Sequence, residues 1–128
     1  MTYYFSKTTT LSFAKAEQRV RELLAEQGFG VLTEIDVQTT LKKKLDVAFR
    51  QYKILGACNP PFAYKALLAE DKIGVMLPCN VIIQESGQGR TEVAAIDPVA
   101  SMAAVENANL KDVAVQIRTR LQKVIESV

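Results

Sequence analysis

Apolar and polar residues alternate along the chain with two different periods, and the switches between them predict the elements. Aromatic and β-branched residues between Met1 and Thr9, with Tyr3-Tyr4-Phe5 at their centre, predict an opening strand. Thr10 or Ser12 is placed to cap the next element, a helix. In it Phe13, Ala16, Val20, Leu23 and Leu24 recur at the spacing of one helix face, and Gly28 stops the pattern. Glu17 and Arg21 pair one turn apart on the polar side. Phe29 to Ile35 reads as a strand. Asp36 caps a short helix with a buried stripe of Val37, Leu41 and Leu45, and Asp46 takes the left-handed turn after it.

Gln51 to Cys58 is the next strand, closing on Gly56-Ala57-Cys58. Asn59 stands as a helix cap and Pro60 at the first helical position, where a missing N–H costs nothing. That helix ends near Glu70, and Asp71 to Gly74 is a turn. Val75-Met76-Leu77 and Val81 to Gln84 read as a strand pair, or as one strand broken at Pro78. Ser86-Gly87-Gln88-Gly89 signals a hairpin, and Arg90 to Ile96 is its returning strand. Asp97-Pro98 repeats the cap-then-proline grammar before a short helix through Ala104. Asn109 is expected to cap the last helix, with Val113, Ile117, Leu121, Val124 and Ile125 inward and Lys111, Arg118 and Lys123 outward. These elements amount to a single α+β domain over residues 1–128, with helices and one sheet in two layers.

Composition narrows the function classes. Apolar residues make up 48 %, enough for one core, and no apolar run reaches the roughly 20 residues of a membrane span. The start of the chain lacks the features of a secretion signal, so a cytoplasmic location is expected. A formal charge of +2, from 16 basic and 14 acidic residues, gives no reason to expect a nucleic-acid partner. Lys42-Lys43-Lys44 could form an anion patch, but adjacent lysines spread around a helix and read first as a solvated face. Histidine is absent, which removes Ser-His-Asp and Cys-His catalysis and any His-containing zinc site. Gly28, Gly30, Gly87 and Gly89 do not open a helix, so no phosphate-binding glycine motif is present. With no catalytic motif, the balance is against an enzyme, and no cofactor is required.

Candidate chemistry gathers at two Cys-Asn pairs, Cys58-Asn59-Pro60 and Pro78-Cys79-Asn80. A thiol just ahead of free helix N–H groups sits where anionic charge is favoured, and those N–H groups form an anion-friendly corner. Each cysteine also reads as a small buried hydrophobe at a strand end. The spacing is not Cys-x-x-Cys. Tyr52 and Tyr64, which bracket Cys58, read as core residues with tethered hydroxyls. Adjacent strands would bring the two cysteines to one end of the sheet. The expected role is a binding module for a small molecule or a protein, with Cys58, Asn59, Pro60, Cys79 and Asn80 as candidate contacts and Pro78 shaping the patch. The alternatives are thiol-dependent soft-metal binding or redox exchange through Cys58 and Cys79, and a structural module that oligomerises through exposed helix faces.

Gly28 to Asp36, Tyr52 to Pro60, Ile73 to Val81 and Asp97-Pro98 together resemble the family called domain of unknown function 302. Gly-Ala-Cys-Asn-Pro and Leu-Pro-Cys-Asn carry most of the likeness. The resemblance implies a compact single domain with a mixed sheet packed by helices, and a homodimer. It implies no biochemical role. Where many members of that family carry a histidine after Cys-Asn-Pro, this chain reads Pro61-Phe62-Ala63-Tyr64.

Overall fold

Five strands form one sheet, in the order β1-β5-β4-β3-β2, in a computed structural model that describes residues 2–128. Met1, at the start of the expected opening strand, lies outside the described residues. The strands are β1 (Tyr4–Thr9), β2 (Gly30–Asp36), β3 (Tyr52–Cys58), β4 (Cys79–Glu85) and β5 (Thr91–Ile96). The helices are α1 (Phe13–Glu26), α2 (Val37–Leu45), α3 (Pro60–Ala69), α4 (Pro98–Ser101) and α5 (Ala108–Glu126). The α+β, two-layer class is as the sequence implies. The sheet itself is antiparallel at every pairing rather than mixed. Because β1 and β2 occupy opposite edges, the crossover between them never pairs two parallel strands.

α1 and α5 lie on one face and supply the core. Ala16, Val20, Leu23 and Leu24 of α1 and Val113, Ile117, Leu121, Val124 and Ile125 of α5 are buried, as their periodicity predicts. They close over Leu55, Ala57, Val81, Ile83, Val93 and Ala95, the inward positions of the three central strands. Burial at about 25 cal/mol per Å² of apolar surface makes this layer the main stabilising contact of the fold. The opposite face carries Tyr4, Ile35, Ile54, Ile82, Ala94 and Ile96 by strict alternation.

Local chemistry explains most boundaries. Ser12, not Thr10, caps α1, accepting from the Lys15 N–H at 3.2 Å. Gly28 leaves α1 with φ +85°, a conformation open to glycine. Asp36 caps α2 and Asp46 ends it in the left-handed region. Gly87, Gln88 and Gly89, all at positive φ, make the β4–β5 hairpin.

Several local expectations fail. Residues Ile73–Met76 form a 3₁₀ turn rather than a strand, with Ile73 buried beneath it. The α2 stripe is not a core face: Val37 and Leu41 are half-covered and Leu45 is exposed, because α2 packs mainly on β2 and β3 at the edge of the sheet. Asn107, two residues earlier than expected, caps α5 by accepting from the N–H groups of Asn109 and Leu110. Tyr64 is exposed on α3 rather than in the core. The three lysines of α2 are solvated, with Lys42 paired to Asp46 at 2.6 Å.

Candidate functional site

The ends of β3 and β4 bring the two cysteines together. Ala57 pairs directly with Cys79, and Cys58 is the next residue along β3. Both thiols are free. They stand on the wall of one cleft of about 330 Å³, bounded by Phe29, Leu32, Asn59, Ala63, Ala66, Leu67, Leu77, Pro78, Met102 and Ile117. α3 forms one side, the segment from Gly74 to Pro78 another, and α5 the floor. Among the described residues, no charged side chain lines the cleft. Leu32, 67 % exposed, and Leu67, 45 % exposed, present apolar surface at its edge.

The cysteines differ in environment. Cys79 is buried and Cys58 half-buried. Burial, and after it the nearness of Cys58, pushes the Cys79 thiol up to about 11. A thiol in such surroundings stays protonated at neutral pH and is a poor nucleophile.

Asn59 is buried and borders the cleft, but its side chain does not cap α3. Its Nδ2 donates instead to the Gln27 carbonyl at 3.1 Å. The reason lies in the next residues. Pro60 and Pro61 fill the first two helical positions, so neither offers an N–H to a cap or to a ligand. Of the helix's first three amides only that of Phe62 exists, and the Ala63 N–H is already taken by the Asn59 carbonyl. The anion-friendly corner expected ahead of α3 is therefore reduced to a single donor.

The remaining candidates part company. Pro78 is on the cleft wall beside Cys79. Pro60 is exposed at the start of α3 and does not line the cleft. Asn80 follows Cys79 on β4, so the pleat turns it to the other face, where it borders a separate depression with Tyr52 and Ile82. Gly56 has a role that sequence reasoning missed. A Cβ there would meet Pro78 Cγ at 2.7 Å and collide with the Thr33 hydroxyl, so the glycine is what lets Pro78 and Thr33 close over β3. Its place inside an apolar strand was the available signal.

A second polar cluster stands apart, at the α1–β2–β3 edge. Lys53 Nζ lies 2.9 Å from both Glu17 and Glu34, and Arg21 bridges the same two carboxylates. Hydrogen bonds to those carboxylates hold the Lys53 ammonium above its usual range, and Lys53 in turn holds Glu34 below its own. Opposite charges account for one another here, and the cluster reads as a tie between elements. Among the described residues no three or more His, Cys, Asp or Glu side chains gather as a metal site, and no helix is long and apolar enough to cross a membrane.

The family model for the domain of unknown function DUF302 matches residues 5–128. The chain belongs to the DUF302 family. The crystal structure of an uncharacterized conserved DUF302 protein from Bacillus stearothermophilus has the same fold, with a TM-score of 0.91 at 25 % identity over 98 % of each chain. No curated protein matches the chain. Both Cys-Asn pairs lie within the matched residues 5–128.

Proposed function

We propose that this DUF302 domain is a binding module for a small, uncharged, largely apolar ligand held in the cleft between the β3–β4 ends, α3 and α5. The observation that carries the reading is the lining. Leucine, alanine, phenylalanine, methionine and isoleucine supply the walls, with two thiols and one amide as the polar accents. Clefts of about 300–1,000 Å³ with such walls and few polar groups are the usual form of a small-molecule site. The absence of charged lining, and the proline pair at the start of α3, both disfavour an anionic ligand.

The neutral fluorophore 1-aminoanthracene tests it. Saturable fluorescence enhancement is expected with the wild-type protein, and Ala63→Trp, which fills the cleft from half-buried Ala63, should abolish it. Leu67→Glu, at an exposed position on the cleft wall, should weaken binding without disturbing the fold. No saturable binding, or equal binding by both variants, overturns the reading.

A second reading uses the sulfurs. Cys58 and Cys79 on one wall could hold a soft cation such as Cu(I) between two thiolates. It must overcome the raised proton affinity of Cys79, which metal binding would have to displace. Cu(I) should then raise the melting temperature of the wild type but not of Cys58→Ser.

A further inference from the structure

The sheet face turned away from α1 and α5 holds a hollow of about 390 Å³, lined only by strand residues and Tyr3. Register explains it. Ala94, the smallest side chain of its row, stands between Ser6 of β1 and Ile82 of β4 and keeps the floor low. Glu92 and Ile96, two residues to either side of Ala94 on β5, turn to the same face and form its two ends. Gln84 and Tyr52 continue the Glu92 end across β4 and β3, and Tyr4 pairs with Ile96 at the other.

The two ends differ in chemistry. Glu92 is half-buried, and its carboxylate accepts a hydrogen bond from the neutral Gln84 amide at 2.8 Å. Among the described residues it enters no ion pair, and it is the only charged side chain lining the hollow. Arg50 reaches it only at second hand. Its Nε and Nη2 donate to the Gln84 oxygen at 3.0 and 2.8 Å, and its guanidinium lies over the Phe49 and Tyr52 rings. That arrangement turns the Gln84 NH2 toward Glu92 and fixes the carboxylate without neutralising it. At the far end Tyr3 and Tyr4 pack edge-on, 5.0 Å between centroids, with 64 % and 42 % of their surfaces exposed.

We infer that this hollow binds a small organic cation, a primary ammonium carried on a flat aromatic body. The ammonium meets Glu92, the body lies over Ala94 and Ile82, and its ring end rests against Tyr3 and Tyr4. From Glu92 to Ile96 is four residues, about 13 Å at the usual strand rise, which suits an arylethylamine with a contact at each end. Charge chooses the ligand. A neutral body laid over Glu92 would cover a partly desolvated charge and leave it without a counterion. A primary ammonium supplies that counterion and three N–H donors, for which the carboxylate has acceptor positions left after Gln84. The hollow and the thiol cleft lie on opposite faces of the sheet, so the two binding readings stand or fall separately.

Tryptamine is the probe, and the chain has no tryptophan to mask its indole fluorescence. Its anisotropy should rise saturably with the wild-type protein at neutral pH and low salt. Tryptophol, the same indole with a hydroxyl in place of the ammonium, should bind about tenfold or more weakly. Glu92→Gln keeps the shape of the face and should bring tryptamine down to the level of tryptophol. Ala94→Phe, which fills the floor, should abolish binding of both and serves should Glu92→Gln not fold. Val115→Glu, at a half-exposed site on α5, adds a negative charge elsewhere and should leave both unchanged. No saturable tryptamine binding overturns the proposal. So does equal binding of tryptamine and tryptophol, or tryptamine binding that folded Glu92→Gln and Ala94→Phe leave intact. A gain with Val115→Glu as large as the loss with Glu92→Gln overturns it too, because diffuse attraction would then account for both.

Discussion

Asn59 and Gln27, 32 residues apart in sequence, are joined by a single hydrogen bond from the Asn59 amide to the Gln27 carbonyl. The bond fastens the end of α1 to the junction of β3 and α3. Gly28, at positive φ, comes so close to it that a Cβ would stand 3.2 Å from Asn59 Nδ2. Two stretches carrying the family resemblance, Gly28-Phe29-Gly30 and Cys58-Asn59-Pro60, thus meet in space at the cleft. Asn59 is 7 % exposed, so its donor cannot be replaced by bulk water.

Asn59→Asp distinguishes this tie from a helix cap. Aspartate caps as well as asparagine does, so a capping role would make the change nearly neutral. A carboxylate facing the Gln27 carbonyl would instead lose the donor and bury a charge. A loss of about 1–3 kcal/mol in urea denaturation is expected, with Asn59→Ala no worse than Asn59→Asp. An unchanged midpoint for Asn59→Asp would refute the tie.

Gly56 makes a sharper steric test. Alanine there would drive its methyl into Thr33 and Pro78, and a loss of about 2 kcal/mol or more is expected. Thr33→Ala removes the first obstacle and should return part of that stability in the double variant. Gly30→Ala is the control, since nothing lies within 4 Å of its Cβ position and its φ is not positive. There the change should stay within about 0.5 kcal/mol or stabilise slightly. Equal losses at Gly56 and Gly30 would mean that the close approach to Pro78 is immaterial.

Where one local rule governs, the sequence and the structure agree. Periodicity alone places α1 and α5, and the four residues Ser86 to Gly89 place the hairpin. Disagreement begins where two rules compete. Val75-Met76-Leu77 has strand-like composition, but Gly74 and Pro78 bound it too tightly for a ladder, and burial of Ile73 draws it into a turn. Asn107 and Asn109 both satisfy the cap preference, and only the N–H that each can reach separates them. At the site, adjacency along the chain misleads. Cys79 and Asn80 look like one patch in sequence, yet the period of a strand sends them to opposite faces. The proline pair after Asn59 was legible as a loss of donors, and it outweighs the general attraction of anions to helix starts. Which face of the sheet the helices would leave open depends on packing partners distant in sequence, and no local pattern shows it.

Asp97 provides a second buried tie. It caps α4 by accepting from the Val99 N–H at 3.0 Å, and its other oxygen accepts from Arg118 Nε of α5 at 3.2 Å. Asp97→Ala should therefore cost more than loss of a cap alone, about 2–3 kcal/mol against about 1 kcal/mol. Asp97→Asn keeps an acceptor for Val99 and weakens only the link to Arg118, so it should fall between. A double-mutant cycle with Arg118→Ala measures that link directly, and a coupling near zero would assign the whole effect to the cap.

Cys79 should give the protein a distinctive alkaline weakness. Its thiol is raised from the ordinary 9.0 to about 11, so the folded state holds the proton more tightly than the unfolded chain. The unfolded state then binds fewer protons over that interval, and the stability due to this group falls as pH rises. It is fully present below pH 9.0 and is lost as pH climbs through 11. A displacement of this size corresponds to roughly 2–3 kcal/mol in full. Tyrosine and lysine titrate in the same range, so the measurement is the difference between wild type and Cys79→Ala, by urea denaturation at several pH values. That difference should be flat below about pH 8.5 and shift in favour of Cys79→Ala above it. Cys58→Ala should keep most of the wild-type slope, because burial outranks the neighbouring thiol as the cause. A difference that stays level to about pH 10.5 would show that the Cys79 thiol ionises as easily in the fold as outside it.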